Sequence, residues 1–276
     1  MYQFLSMKIH SIFIFVILPV AVEAQQRQAS QREVALEGAV NFRDLGGYVT
    51  TDYRRISMGR IYRSGDISKL TDADMEELKR RKIYTVIDFR GKDEAAAAPD
   101  RLLPGADYLL LPAGSESSSD WDTFINGRSS GMDVMIAFYS DVSVFKDRYR
   151  PFFRKLLMLP DSSSVVFHCS AGKDRTGIAA ALFLYALDIP IETIINDYLA
   201  SNHFRRAENE KMIDDMVNEQ GIDRKMATEL LEVYPLYLEA MFNALKKQFG
   251  SIDLFLYREL GMNEAAKLRL REKYLL

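Results

Sequence analysis

The chain predicts an α/β fold: a central, mostly parallel sheet flanked by helices, with a helical C-terminal half. Three patterns carry this expectation. The first half alternates short β-branched runs with helical stretches, as parallel strands joined by crossover helices require. Ser164 to His168 (SVVFH) runs through a short loop into Ile178 to Leu187 (IAAALFLYAL), a helix apolar on nearly all sides and therefore central. After Asp188, apolar residues recur at helical spacing. No stretch reads as a linker, so residues 39–276 are expected to form one domain.

The elements follow in order. Ile12 to Val22 is an uninterrupted apolar run of 11 residues behind a weakly basic start, with Val22 and Ala24 ahead of Gln25. A spanning helix needs roughly 20 such residues. Residues 1–24 therefore resemble a secretory signal peptide, and the chain is expected to be exported, periplasmic or secreted, with no membrane span once the leader is removed. A membrane anchor is the other reading of the run. Residues 25–38 form a polar lead-in. Arg60 to Arg63 is a short strand candidate. Thr71 is an N-cap for a helix over Asp72 to Lys82, acidic early and basic late as the helix dipole prefers. Ile83 to Phe89 (IYTVIDF) reads as a buried strand, and Tyr108 to Leu111 as another. Ala113 to Gly131 holds six serines and three glycines and reads as a long, lid-like loop. Phe145 to Leu159 reads as a helix despite Pro151. Pro190 suits a first helical turn. Ser251 and Asn263 are N-caps of two short terminal helices, with Gly250 and Gly261 as helix stops.

Composition narrows the function. A formal net charge of −3 supplies no basic field for nucleic acid. One cysteine, Cys169, and three histidines, His10, His168 and His203, exclude a disulfide framework and leave little for a His/Cys zinc site. No cofactor and no metal are expected. An unpaired cysteine in an exported chain is either inert core or kept for its reactivity, and its neighbours decide which. It stands where a strand turns tightly into a helix. Successive backbone N–H groups and the helix dipole make that turn an anion site. Gly172 permits close approach. Arg175 offers a planar fork for two phosphate oxygens. The same field stabilises a thiolate, so the spacing sets a reactive sulfur beneath a bound phosphate.

His168 to Gly177 reads HCSAGKDRTG. It resembles the H-C-x5-R-[ST]-G signature of the protein tyrosine phosphatase superfamily. The Gly-Lys-Asp-Arg variant is similar to a bacterial branch that includes secreted mycobacterial phosphatases, some members having phosphoinositide activity. Asn41 to Tyr48 (NFRDLGGY), Arg63-Ser64-Gly65, Asp88-Phe89-Arg90 and Asp197 to Asn202 (DYLASN) extend the resemblance over nearly the whole chain. It implies the α/β phosphatase fold. It also implies that Cys169 is the nucleophile and that Arg175 binds phosphate and stabilises the transition state. Ser170, Ala171, Gly172, Lys173 and Asp174 would supply loop amides. Thr176 would donate its hydroxyl to the sulfur, Gly177 would let the helix pack on the sheet, and His168 would orient the loop.

The general acid has two candidates. The resemblance implies Asp174. Trp121-Asp122 in the lid-like stretch makes Asp122 the rival. Lys173 reads either as a second cation beside Arg175, suited to substrates with several phosphates, or as a solvated lysine. Arg43, Asp44, Arg63, Asp88 and Arg90 read as a supporting shell, with Asp44 bracing one of the arginines. Arg63 or Arg90 either reaches substrate or serves in a structural ion pair.

The expected activity is cysteine-dependent hydrolysis of phosphotyrosine, with phosphoserine or phosphothreonine proteins and phosphoinositides as further substrates. The alternatives are a phytase-like inositol-polyphosphate phosphatase and a phosphate-binding pseudophosphatase. A Cys–His hydrolase is disfavoured. His168, next to Cys169 in a strand, points to the opposite face, and only His203 is left besides it after the leader.

Overall fold

The computed structural model describes residues 31–113 and 130–276. The leader-like residues 1–24, Trp121, Asp122 and nearly all of the lid-like stretch lie outside the described residues. Five strands form one sheet in the order β1-β2-β5-β3-β4. They are β1 (Arg43–Asp44), β2 (Ile61–Ser64), β3 (Ile83–Asp88), β4 (Asp107–Leu110) and β5 (Ser164–His168). β1 runs antiparallel to β2, and the other four are parallel. The latest strand in sequence, β5, thus lies at the centre. Ser64 and Asp88 both stand opposite His168, so three strands end level and the loop after β5 leaves from the middle of the edge. That crevice is where open α/β sheets bind ligands.

The described helices are α1 (Asp72–Arg80), α2 (Lys92–Ala97), α3 (Gly131–Ser140), α4 (Phe145–Met158), α5 (Arg175–Ala186), α6 (Ile191–Phe204), α7 (Arg206–Gln220), α8 (Arg224–Leu231), α9 (Pro235–Phe249), α10 (Ile252–Arg258) and α11 (Glu264–Tyr274). None is long and apolar enough to cross a membrane. Thr71 caps α1 reciprocally: its hydroxyl accepts from Asp74 N–H at 3.3 Å while the Asp74 carboxylate accepts from Thr71 N–H at 2.9 Å. Ser251 and Asn263 cap α10 and α11.

β5 is buried on both faces. Val165 and Phe167 join the larger core with Phe152, Ile178 and Leu182, whereas Val166 joins a smaller core with Tyr62, Leu78 and Val86. The period of two then assigns the polar ends of the strands. Arg63, two after Ile61, belongs to the face covered by α5. His168 and Asp88, two after Val166 and Val86, belong to the other.

Sequence patterns did not announce β1, α2, α3, α7 or α8. β1 and α2 are too short to show a period. α3 begins at Gly131, inside the stretch expected to be loop. Ser130 is its N-cap, accepting from Asp133 N–H at 3.1 Å, and a Cβ at Gly131 would lie 2.5 Å from Met226 O of α8. The polar lead-in is tied down from Arg32 onward. Asp44 N–H donates to Arg32 O at 2.9 Å, Val34 N–H donates to Phe42 O at 3.0 Å, and the Arg32 guanidinium lies over the Tyr48 ring.

Candidate active site

The loop from Cys169 to Asp174 is held by its carbonyls. Ser170 O accepts from Asp66 N–H at 2.9 Å. Ala171 O accepts from Asn41 Nδ2 and Arg205, each at 3.2 Å. Gly172 O accepts from Asn41 Nδ2 at 3.0 Å and from Arg63 at 2.8 Å. A trans peptide points its N–H opposite to its C=O. Carbonyls drawn outward by these donors therefore turn the N–H groups of Ala171, Gly172 and Lys173 to the inner side, where they meet no acceptor among the described residues. The result is an anion-binding nest at the start of α5. Gly172 has φ +68°, and a Cβ there would sit 2.2 Å from Ser64 O, so only glycine fits.

Cys169 is a free, buried thiol at the base of this loop. Arg175, the first residue of α5, donates to Glu94 Oε2 at 2.5 Å and Oε1 at 3.0 Å, to Ser170 Oγ at 3.3 Å and to Phe89 O at 3.4 Å. Burial disfavours its charge, yet the Cys169 sulfur, Glu94 and Asp174 raise it above the ordinary arginine value. Burial alone would raise the Glu94 carboxyl. The Arg175 guanidinium, Gly91 N–H and the Ser170 hydroxyl together bring it down to about 2.

Asp174 is the N-cap residue of α5, but its side chain does not cap the helix. It accepts from the Tyr139 hydroxyl at 2.9 Å and pairs with Lys173 Nζ at 2.8 Å. Lys173 is buried, and its ammonium also donates to Leu230 O at 3.0 Å. It is therefore neither a solvated lysine nor an unpaired second cation beside Arg175, because a buried ammonium must be matched by acceptors. The Thr176 hydroxyl is buried without a hydrogen-bond partner among the described residues, so the expected bond to sulfur is not made. A Cβ on Gly177 would meet the Tyr198 ring at 3.0 Å. The close packing it allows is against α6 first and, at 3.5 Å, against Arg63 of β2 in the sheet.

The supporting residues divide into two buried clusters. Asp197 of α6 accepts from Arg43 Nε at 3.0 Å, Arg63 at 2.6 Å and the Tyr48 hydroxyl at 3.1 Å. Burial opposes its ionisation, but the two arginines hold it well below the usual carboxylate range, while burial and Arg63 bring Arg43 down to about 10. Asp44 braces neither arginine. Its carboxylate instead accepts from the backbone N–H groups of Gly46 at 2.7 Å and Gly59 at 2.5 Å. In the second cluster Arg90 forks onto Asp88 and also reaches Asp66 at 3.2 Å, Asp100 at 2.6 Å and Ala98 O at 2.8 Å. His168 Nε2 lies 2.8 Å from Asp100 Oδ2, and its Nδ1 lies 3.4 Å from Cys169 O. The ring is thus held beside the Cys169 peptide. Arg43, Arg63 and Arg90 are completely or almost completely buried, so none is free to meet substrate. Asp88, Asp100 and His168 have the spacing of a metal site, but the Arg90 guanidinium already bridges the two carboxylates. His203 is exposed near the end of α6, and Asp122 lies outside the described residues.

Sequence reasoning gave no role to Glu94, Asp100, Arg205 or Tyr139. It quoted Asn41 and Asp197 within matching stretches without one. Glu94 carried a faint signal: it stands three residues after Gly91, the spacing by which a first-turn glutamate caps its own helix.

A family of hydrolases is defined by this loop on this sheet, and sequence comparison agrees. The model of the tyrosine phosphatase family matches residues 34–276, and the chain belongs to that family. A Cupriavidus necator protein that carries a tyrosine-protein phosphatase name is 34% identical over 93% of this chain and 92% of its own length. The triple specificity protein phosphatase PtpB of Mycobacterium tuberculosis is 30% identical over 86% of this chain and 96% of its own. A tyrosine-protein phosphatase of Nostoc commune is 30% identical over 51% of this chain and 48% of its own. The chain is a phosphatase by membership.

Proposed function

We propose that this phosphatase hydrolyses phosphomonoesters on proteins, phosphotyrosine first and phosphoserine or phosphothreonine next, through a cysteinyl-phosphate. The observation that carries the reading is the outward pinning of the loop carbonyls by Asn41, Arg63 and Arg205, which opens a nest of N–H groups between Cys169 and Arg175. The Cys169 thiolate attacks phosphorus. As the S–P bond forms, the bond to the leaving oxygen breaks, and Asp174 gives that oxygen its proton. Water then attacks the cysteinyl-phosphate, Asp174 takes a proton back, and the S–P bond breaks to release inorganic phosphate. Loop amides and Arg175 carry the charge on the equatorial oxygens throughout. The pairing of Lys173 with Asp174 favours a single phosphate over a polyphosphorylated inositol.

Two variants test this. Cys169→Ser should bind phosphate and show no turnover. Asp174→Asn should lose on the order of 10²–10⁴-fold on phenyl phosphate and much less on a nitrophenyl ester, because a good leaving group departs without a proton. Turnover by Cys169→Ser would sink the mechanism. A flat loss across leaving groups for Asp174→Asn, with a graded loss for Asp122→Asn, would move the acid to Asp122.

A further inference from the structure

Tyr139 of α3 and Tyr198 of α6 are buried, and their hydroxyls form a chain that ends on Asp174. A carboxylate can only accept, so the single hydrogen of the Tyr139 hydroxyl goes to Asp174 Oδ1, at 2.9 Å. With that hydrogen spent, Tyr139 can only accept from the Tyr198 hydroxyl, at 2.8 Å. Tyr198 meets no other acceptor among the described residues. The order of donors is therefore fixed, from Tyr198 to Tyr139 to Asp174. Burial, and then the Asp174 carboxylate, raise the Tyr139 phenol well above its ordinary pKa, so it stays a donor.

Both rings are packed in place. Tyr139 meets Tyr198 edge-on at 6.1 Å and lies 5.7 Å from Tyr237, whose own hydroxyl donates to Glu229 O at 2.7 Å. Tyr198 rests against Gly177, where a Cβ would come within 3.0 Å of the ring.

The consequence falls on Asp174. A neutral carboxyl carries its hydrogen on one oxygen, and Oδ1 already faces a donor. The hydrogen therefore belongs on Oδ2. Lys173 Nζ lies 3.1 Å from Oδ1 and 2.8 Å from Oδ2, and it also donates to Leu230 O at 3.0 Å. When Oδ2 is protonated, the ammonium keeps Oδ1 and Leu230 O as acceptors.

We infer that Tyr139, aligned by Tyr198, is a positioning residue for proton transfer: it occupies Asp174 Oδ1 and leaves Oδ2 as the atom that gives up and regains the proton. This rests on the function proposed above, in which Asp174 is the acid. The Oδ2–H bond breaks as the leaving oxygen takes the proton, and the attacking water returns one to the same atom. Asp174 needs such a partner because its side chain does not cap α5. Without the Tyr139 bond it would be held by Lys173, whose ammonium touches both oxygens and does not distinguish them. The proton would then divide between two oxygens, and a misplaced donor lowers the rate.

The test uses the full chain with phenyl phosphate and nitrophenyl phosphate, each variant at its own optimum pH. Tyr139→Phe deletes one hydroxyl and keeps the ring. It should lower kcat/KM about tenfold on phenyl phosphate and less than about twofold on the nitrophenyl ester. The inhibition constant of inorganic phosphate should stay within about twofold, because the anion nest is untouched. Tyr198→Phe, which leaves Tyr139 bonded but unaligned, should show the same selectivity at about threefold, and it decides the matter if Tyr139→Phe does not fold. An asparagine at 174 has no proton to place, so adding Tyr139→Phe to Asp174→Asn should change kcat/KM on phenyl phosphate less than about twofold. An equal loss on both esters, as a merely structural hydroxyl would give, overturns the inference. No loss on either ester overturns it too, as does a tenfold loss repeated in the Asp174→Asn background. A flat loss for Asp174→Asn alone overturns the assignment of the acid and the inference with it, so the two failures are separable.

Discussion

The buried charge clusters on either side of the phosphate loop are opposite in composition. On the α5 and α6 face one carboxylate, Asp197, serves two arginines, Arg43 and Arg63. On the other face one arginine, Arg90, serves three carboxylates, Asp66, Asp88 and Asp100. The arginine-rich cluster has a donor to spare, and Arg63 uses it to draw Gly172 O outward. The acid-rich cluster has acceptors to spare, and these take His168 Nε2 and the Tyr108 hydroxyl. The surplus donor turns the loop amides to the inner side of the loop. The surplus acceptors fix the histidine next to Cys169, while Arg90 itself holds Ala98 O just past the helix that carries Glu94. Two ion-pair clusters of similar burial thus do different work because their excess hydrogen-bonding capacity differs in kind.

The comparison breaks most visibly on removing the minority partner of each cluster. Asp197→Asn strands two buried guanidiniums that cannot shed a proton, and the expected loss is about 3–5 kcal/mol by urea unfolding at pH 7. Arg90→Met strands carboxylates that can take up protons, so its loss should fall at the lower end of the same range, about 3 kcal/mol.

Their pH dependence sharpens the contrast. In Arg90→Met the orphaned carboxyls have folded pKa values above the unfolded ones, so their penalty is present at neutral pH and vanishes as pH falls through the raised values. In the wild type, Asp88 is lowered by Arg90 and His168 against the effect of its burial. Its contribution is present above its unfolded pKa and lost below it. The variant's raised carboxyls narrow the gap between variant and wild type by at least about 1 kcal/mol between pH 7.5 and 4.5, and the loss of the Asp88 contribution acts only below the unfolded carboxylate pKa of about 3.9. The Asp197→Asn gap should stay constant over that range, because Asp197 remains ionised well below the usual carboxylate pKa. Parallel pH profiles for the two variants would show that the sign of the excess does not matter.

What the sequence disclosed of this arrangement is what short-range chemistry can encode. The Ser164–His168 strand and the Thr71 cap are each written within a few residues of chain, and the structure reproduces both, whereas the helix after the Cys169 loop starts at Arg175, three residues before the expected Ile178, and the Thr71 helix ends at Arg80 rather than Lys82. The clusters are written across long separations. Asp44 is expected to brace one of the arginines, yet the carboxylate that pairs with Arg43 lies 154 residues away from it in sequence. Asp100 and Arg205 sit in no periodic pattern, and each reaches the loop only because the sheet edge gathers them there. Lys173 misleads for the same reason, since nothing adjacent shows that the end of α8 caps its ammonium. The residues proposed to meet phosphate are therefore those that short-range chemistry encodes, and the residues that hold their loop are not.

The smallest effect isolates burial from composition, because each cluster contains one tyrosine hydroxyl bonded to its central carboxylate. Tyr48 donates to Asp197 at 3.1 Å from a buried ring, and Tyr108 donates to Asp88 at 2.9 Å from a ring 37% exposed. Removing the hydroxyl deletes the same bond in both. A hydrogen bond to a charged acceptor contributes more than a neutral one, and a buried acceptor that loses its donor cannot turn to water. Water can replace the Tyr108 hydroxyl, and Asp88 keeps the Arg90 fork. Asp197 keeps its two arginines, but the oxygen that Tyr48 shared with Arg43 loses a donor in a site closed to solvent. Tyr48→Phe should therefore cost about 1–2 kcal/mol, and Tyr108→Phe less than about 1 kcal/mol, in urea unfolding at pH 7. Equal costs, or the reverse order despite the shorter bond at Tyr108, would mean that the charge excess of each cluster, and not its seclusion from water, sets the strength of the bonds around it.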